Sequence, residues 1–207
     1  MFIDLTHEIT DQMPVYPGDS ATGFRQTRFL DKDSYVNYEL IINMHAGTYI
    51  DGPKHLTDSQ SYLNDYCLET FIGEGCLLDI SAEQNVIRYQ QEYEDIIEGK
   101  QIVLFNTGHS KHFGKPRYFN DYPVLSLDVA KMIVKHKVKM IGLDTPSPDK
   151  YPFAVHKYLF NHGVLIIENL TRLDQLKKHK SFEVIALPLK LKADSSIARV
   201  VARVRDS

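Results

Sequence analysis

A chain of 207 residues, 43% hydrophobic and 25% charged, can bury a substantial core without disulfides or metals to hold it, and a single domain over 1–207 is the simplest organisation. A formal net charge of −3 leaves no electrostatic footprint for nucleic acid, and the short basic run Lys177-Lys178-His179-Lys180 fits a solvated helix end. No stretch reaches membrane-spanning length, Met1-Phe2-Ile3-Asp4 lacks the basic start and apolar run of a signal peptide, and Cys67 and Cys76 lack CxxC spacing, so a cytoplasmic protein without membrane or nucleic-acid partners is expected.

The opening residues read as strand-like. Tyr38 to His45 is bulky and partly β-branched, which predicts a strand ending on His45. Cys76 opens the apolar run Cys76-Leu77-Leu78-Asp79-Ile80 and reads as a small core residue. Ser81 with Gln84 forms a capping-box pattern for a helix running towards Glu98 and ended by Gly99. A strand follows at Gln101 to Phe105. Ser126 is placed to cap a second helix, in which Val129, Met132, Ile133 and His136 recur at helical spacing. Lys139 to Leu143 reads as a strand, Phe153 to Asn161 as a third helix stopped at Gly163, and Val164 to Glu168 as the returning strand. Two more strands are expected at Phe182 to Leu189 and Ile197 to Val204. The strand–helix alternation from Gln101 to Glu168 predicts an α/β layer, with β-rich segments at both ends and neither repeat nor linker between.

The chemistry concentrates in His45-Ala46-Gly47-Thr48-Tyr49-Ile50-Asp51-Gly52-Pro53-Lys54-His55. Imidazole and carboxylate donors suit zinc, manganese or iron. A regular strand sends alternate side chains to opposite faces, so these donors converge only if the Gly and Pro residues bend the chain. Read on spacing alone, the segment is equally a polar surface loop. His156 taken alone reads as a satisfied, half-buried histidine. Glu168, by contrast, follows Val164-Leu165-Ile166-Ile167, and a buried carboxylate at the end of an apolar strand needs a cation or donors.

The segment resembles the His-x-Gly-Thr-His-x-Asp-x-Pro-x-His signature of the metal-dependent cyclase/hydrolase family that includes bacterial kynurenine formamidases, matching at His45, Gly47, Thr48, Asp51, Pro53 and His55. Tyr49 stands where the family has its second histidine. Pro14-Val15-Tyr16-Pro17-Gly18-Asp19, Asn106-Thr107-Gly108 and Gly142-Leu143-Asp144-Thr145-Pro146-Ser147 resemble further family segments, although His109 stands where tryptophan is usual. His156 and Glu168 have the spacing of the family's distal histidine and glutamate ligands. The resemblance implies an α/β fold with a barrel-like mixed β core and flanking helices. It further implies His45, Asp51, His156 and Glu168 as metal ligands, Asp51 bridging two positions, and His55 as general acid/base. Zinc is the expected metal and manganese the alternative. Because a phenol must ionise to ligate, Tyr49 leaves one position with His45 and Asp51 alone, so one ion, or two of unequal affinity, are expected. His109 or His112 is a candidate to compensate.

The implied reaction is hydrolysis of an amide C–N bond in an arylformamide such as N-formylkynurenine, or in a cyclic amide. Metal-bound hydroxide is the nucleophile and His55 carries the proton. Thr48 and the loop amides are candidates to orient the ligands. Tyr16, Tyr49 and His109 are expected at the substrate, and Pro17, Phe113 and Tyr118 are candidate apolar walls. The family also implies a homodimer or higher homo-oligomer. Two alternatives stay open: a metal- or ligand-binding module of the same fold that has lost turnover, and a metal-dependent cyclase or dehydratase.

Overall fold

The computed structural model describes residues 1–80 and 85–204. Its strands are β1 (Phe2–Asp4), β2 (Gly23–Arg28), β3 (Asn37–Ile41), β4 (Tyr49–Asp51), β5 (Ile72–Asp79), β6 (Val86–Ile87), β7 (Ile102–Asn106), β8 (Val124–Leu125), β9 (Met140–Leu143), β10 (Leu165–Glu168), β11 (Phe182–Pro188) and β12 (Ser195–Val204). Its helices are α1 (Leu30–Asp33), α2 (Glu92–Ile97), α3 (Leu127–Lys135) and α4 (Ala154–Asn161), with short 3₁₀ turns between elements.

Seven strands close on themselves in the order β12-β11-β5-β7-β9-β10-β4, and β4 pairs with both β10 and β12 to complete the ring. Strands β5, β7, β9 and β10 run parallel, joined by helical crossovers, whereas the closing strands pair antiparallel. β1 adds to the free edge of β12, so both ends of the described chain meet in one sheet. This is the mixed α/β arrangement with a barrel-like core that the resemblance implies.

Alternation along the strands divides the apolar residues into two cores. Ile102, Leu104, Leu165, Ile167 and Ile50 point into the barrel, where Val184 and Val200 meet them. Val103, Phe105, Ile141 and Ile166 point outward against Val129, Ile133, Val155 and Leu159 of α3 and α4. Since Ile50 and Ile167 face inward, Tyr49, Asp51 and Glu168 must face outward, towards α4. Register then places Glu168 beside Tyr49. The site's position is thus a consequence of strand alternation.

Several boundaries differ from the sequence expectation. β3 ends at Ile41 and belongs with β2 to a hairpin outside the barrel, so His45 does not end a strand. Asn43 breaks the run: its side chain accepts from the His45 amide at 2.9 Å and its carbonyl from Ala46 at 3.1 Å, a local turn that competes with the ladder. Ser81 and Gln84 lie outside the described residues, and the helix expected after them is confined to α2, because Val86–Ile87 pairs instead with Val124–Leu125. Ser126 is the N-cap of α3, yet its hydroxyl makes no capping bond. The expected strands at 101–105, 139–143, 164–168, 182–189 and 197–204 are present with shifts of one or two residues. β5 has no counterpart in the sequence expectation, since Gly73 and Gly75 weaken its strand pattern. Gly75 is required there, because a Cβ would meet Val184 at 2.8 Å across the pair with β11.

Candidate metal centre

The outward face of β4 and β10 gathers Asp51 and Glu168, and α4 brings His156 over them. One ligand atom from each of the three lies within 4.8 Å of the others, and all three residues are buried. Asp149 sets the imidazole. Its Oδ2 accepts from the amides of Val155 (2.7 Å) and His156 (3.3 Å) at the start of α4, and its Oδ1 lies 2.5 Å from His156 Nδ1. With Nδ1 so engaged, Nε2 faces Glu168 Oε1 at 3.2 Å and Asp51 Oδ2 at 3.9 Å.

The electrostatics of this group call for a cation. Burial, and then the Glu168 charge, push the Asp51 carboxyl well above its ordinary range. Asp51 Oδ1 is buried with no hydrogen-bond partner. Burial works against charge on His156, but the Asp149 and Glu168 carboxylates outweigh it and lift the imidazole to about 10. A divalent ion meets the same demand as that proton and also gives the orphaned oxygen of Asp51 a partner, so the donor set fits a metal.

Tyr49 takes a different part from that of a ligand. Its hydroxyl donates to Glu168 Oε2. Burial, with the Glu168 and Asp51 charges, drives the phenol well above its ordinary value, so it keeps its proton.

A second, more open group adjoins the first through Asp51. His45, Asp51, His55 and Asp194 each offer a ligand atom within 4.8 Å of the rest. His45 Nε2 lies 2.9 Å from Ser195 Oγ and 3.3 Å from Asp194 Oδ2. His55, closing the 3₁₀ turn Pro53–His55, places Nδ1 3.2 Å from the same carboxylate oxygen. Burial, and then the neighbouring His45, lower the His55 pKa against the pull of Asp194. The ring lines a shallow surface depression of about 520 Å³ with Leu56, Thr57 and Lys157, which gives it access to solvent.

The loop carrying this motif is tied from behind. Thr48 Oγ1 donates to the Asn169 carbonyl (2.6 Å), and Asn169 Nδ2 donates to the Gly47 carbonyl (2.7 Å). Tyr118 donates to Asn169 Oδ1 (2.7 Å). His109 is buried, with Nε2 2.9 Å from the Tyr118 carbonyl, and it supplies no atom to either ligand group. Neither does His112. Tyr16 is exposed and meets Phe119 edge-on at 5.8 Å, while Phe113 stacks on His7 at 3.8 Å. Among the residues expected from sequence, then, the fold brings together His45, Tyr49, Asp51, His55, His156 and Glu168, and leaves Tyr16 and His109 outside both ligand groups.

Sequence reasoning missed Asp149 and Asp194. Asp149 had a usable signal, an acidic residue just ahead of a helix that carries a candidate ligand. Asp194 had none, since nothing in Ala193-Asp194-Ser195 marks a site until β12 is paired with β4.

Fold and site together define a mixed α/β protein with a barrel-like core and a candidate metal centre. Residues 3–150 match the model of the Cyclase family, described as "Putative cyclase". A kynurenine formamidase of Bacillus thuringiensis (strain Al Hakam) is 31% identical over 208 residues, spanning 98% of this chain and 97% of that protein. A solved structure of a potential metal-dependent hydrolase with cyclase activity is 26% identical, with a TM-score of 0.78 over 100% of this chain and 99% of the other. An isatin hydrolase bound to thioisatinate superposes with a TM-score of 0.89 over 99% and 92% of the two chains, and at 18% identity it speaks for the fold alone. The chain belongs to the Cyclase family. It is an enzyme of the hydrolase class, acting on carbon–nitrogen bonds other than peptide bonds.

Proposed function

We propose that this enzyme hydrolyses the amide C–N bond of an arylformamide such as N-formylkynurenine, or of a cyclic amide, with zinc or manganese as the metal. The observation that carries the reading is Asp51, a buried carboxylate with one orphaned oxygen, shared by two groups of ligand atoms with a solvent-accessible histidine alongside. The full-length formamidase relatives support the substrate class.

His156, Asp51 and Glu168 would hold a divalent ion, which when bound would supply Lewis acidity and lower the pKa of a water towards neutrality. Asp149 holds His156 Nδ1, so that Nε2 faces the ion position. Tyr49 holds Glu168 by hydrogen bond. Asp194 engages His55 Nδ1, which leaves Nε2 as the proton-carrying atom. With its pKa lowered, His55 is neutral near pH 7, so it can accept a proton from the attacking water and deliver it to the departing nitrogen.

The test is turnover by the purified, metal-loaded enzyme on a panel of N-formyl aryl amines and cyclic amides. Release of formate and aryl amine, or of the ring-opened acid, is expected. A metal-replete protein that turns over no member of the panel would favour the binding-module alternative.

We further propose that the protein is cytoplasmic and works as a homo-oligomer. Among the described residues no helix is long and apolar enough to cross a membrane, and both cysteines are unpaired, Cys76 with its thiol pushed up to about 12 by burial. The β2–β3 hairpin leaves Tyr35, Val36, Tyr38, Leu40 and Ile41 exposed. Two strands with an uncovered apolar surface are marginal alone, and a second copy would cover it. Light scattering that returns a monomer at micromolar concentration would remove this proposal.

A further inference from the structure

We infer that Asp194 replaces the imidazole missing at Tyr49, so that His45, Asp51 and Asp194 form a second cation position beside the one made by Asp51, His156 and Glu168. This rests on the site being a metal centre, and it concerns which residues complete it.

Three observations carry the inference. First, the residue standing at the family's second histidine is engaged with the inner group: the Tyr49 hydroxyl donates to Glu168. Second, the other histidines that might compensate are elsewhere, His109 bound to the Tyr118 carbonyl and His112 outside both ligand groups. Third, Asp194 Oδ2 already lies 3.3 Å from His45 Nε2, and ligand atoms from His45, Asp51 and Asp194 fall within 4.8 Å of one another. Donors about 2.1 Å from a shared ion can be at most about 4.2 Å apart, so less than about 1 Å of side-chain adjustment is needed.

The approach of Asp194 is built into the backbone. Its carbonyl accepts from the Gly52 amide, and the Ala193 carbonyl accepts from Leu63, each at 3.1 Å. A Cβ at Gly52 would stand 2.7 Å from the Asp194 carbonyl oxygen, so glycine is what lets the two loops touch. Asp194 is therefore pinned to the motif loop by Gly52, between Asp51 and Pro53, and its neighbour Ala193 to the 3₁₀ turn that begins at Leu63. Asp51 Oδ1, buried and unpartnered, belongs to the residue the two groups share and is an acceptor that a cation there would satisfy. A carboxylate has four lone-pair sites, so Asp194 can face an ion and still accept from His55 Nδ1.

The test measures metal per chain in zinc-buffered solution, with Mn²⁺ paramagnetic resonance as a second readout independent of turnover. Wild type should hold two ions, with the spectrum of a coupled manganese pair. Asp194→Asn should hold one tightly, weaken the other at least about 10-fold, and show an isolated ion. Asp194→Glu should recover part of the loss, and Tyr49→Phe should keep both ions. If Asp194→Asn fails to melt cooperatively, Asp194→Ser carries the same comparison. Two ions of unchanged affinity in the Asp194 variants would overturn the inference, as would loss of one ion in Tyr49→Phe. A single ion in wild type, unchanged by the Asp194 variants, overturns it while leaving the metal-dependent reading intact. A protein that binds no ion at all removes that reading too.

Discussion

The two ligand groups share Asp51 but are built in opposite ways. Asp51, His156 and Glu168 sit on β4, α4 and β10, with side chains 1%, 4% and 2% exposed. His45, His55 and Asp194 sit on turns and loops, with side chains 18%, 36% and 34% exposed. Two buried carboxylates without a cation are costly, so the inner group must be filled by a proton or an ion whenever the chain is folded. The outer group can exchange protons and water with solvent at little cost. The difference suits the inner group to a tightly held ion, and the outer one to a more weakly held ion beside the proton path of His55.

The strongest attempt to break this division is Asp51→Ala, because Asp51 belongs to both groups. Metal content should fall to background, and kcat by more than the about 10²- to 10⁴-fold expected from losing a proton carrier. His45→Ala should leave the inner ion in place. Equal metal loss in the two variants, measured by elemental analysis, would merge the groups into one site.

His55→Ala comes next. Its kcat should drop by about 10²- to 10⁴-fold with the inner ion retained, since the ring contributes a proton path and not the buried cradle. A preparation that emerges without metal would make His55 a ligand and erase the contrast.

The inner group was legible in sequence through the family resemblance, with Glu168 alone marked by its own context as a carboxylate ending an apolar strand. Periodicity did not show the rest: His156 alone reads as a satisfied histidine, and the strand Tyr49–Asp51 lies where a loop was expected. Only with that strand in place does alternation around Ile50 and Ile167 fix where Tyr49, Asp51 and Glu168 point. The outer group depends on loops brought together by barrel closure: Asp194 meets His45 only because β12 pairs with β4, some 150 positions away in sequence. The overextended strand at Tyr38 to His45 has a similar cause. Bulky residues promised burial, but the hairpin they form lies outside the barrel, and the turn at Asn43 ends the ladder. β5 was hidden for the reverse reason, its glycines serving close strand packing rather than marking a loop.

A smaller effect is expected from Asp149→Ala, which sharpens the account of the inner group. Losing the Nδ1 partner of His156 should weaken metal binding by about 10- to 100-fold, as is usual when the residue orienting a ligand is removed. The Val155 and His156 amides at the start of α4 also lose their acceptor, a loss of about 1 kcal/mol. Titration against a competing chelator separates the two, since a purely structural loss lowers the melting temperature without moving the dissociation constant measured below it.

The last and smallest effect concerns the metal-free protein and pH. His156 is lifted from 6.5 to about 10 in the folded chain, so between those values the folded state holds a proton that the unfolded state releases. Its contribution to stability is therefore fully present below about 6.5 and is lost as pH rises towards 10. Asp51 acts with the same sign, because its carboxyl too is raised by burial and by Glu168. The metal-free melting temperature should fall by several degrees as pH rises from 6.5 to about 9.5, on the order of ΔΔG divided by the unfolding entropy. The metal-loaded protein should lack this fall, since the ion takes over the neutralising role, and binding should release protons into the buffer. His156→Gln should flatten the metal-free profile. A metal-free protein whose stability rises across this interval would show that the inner group is not held by a proton, and that its carboxylates are neutralised by something other than His156.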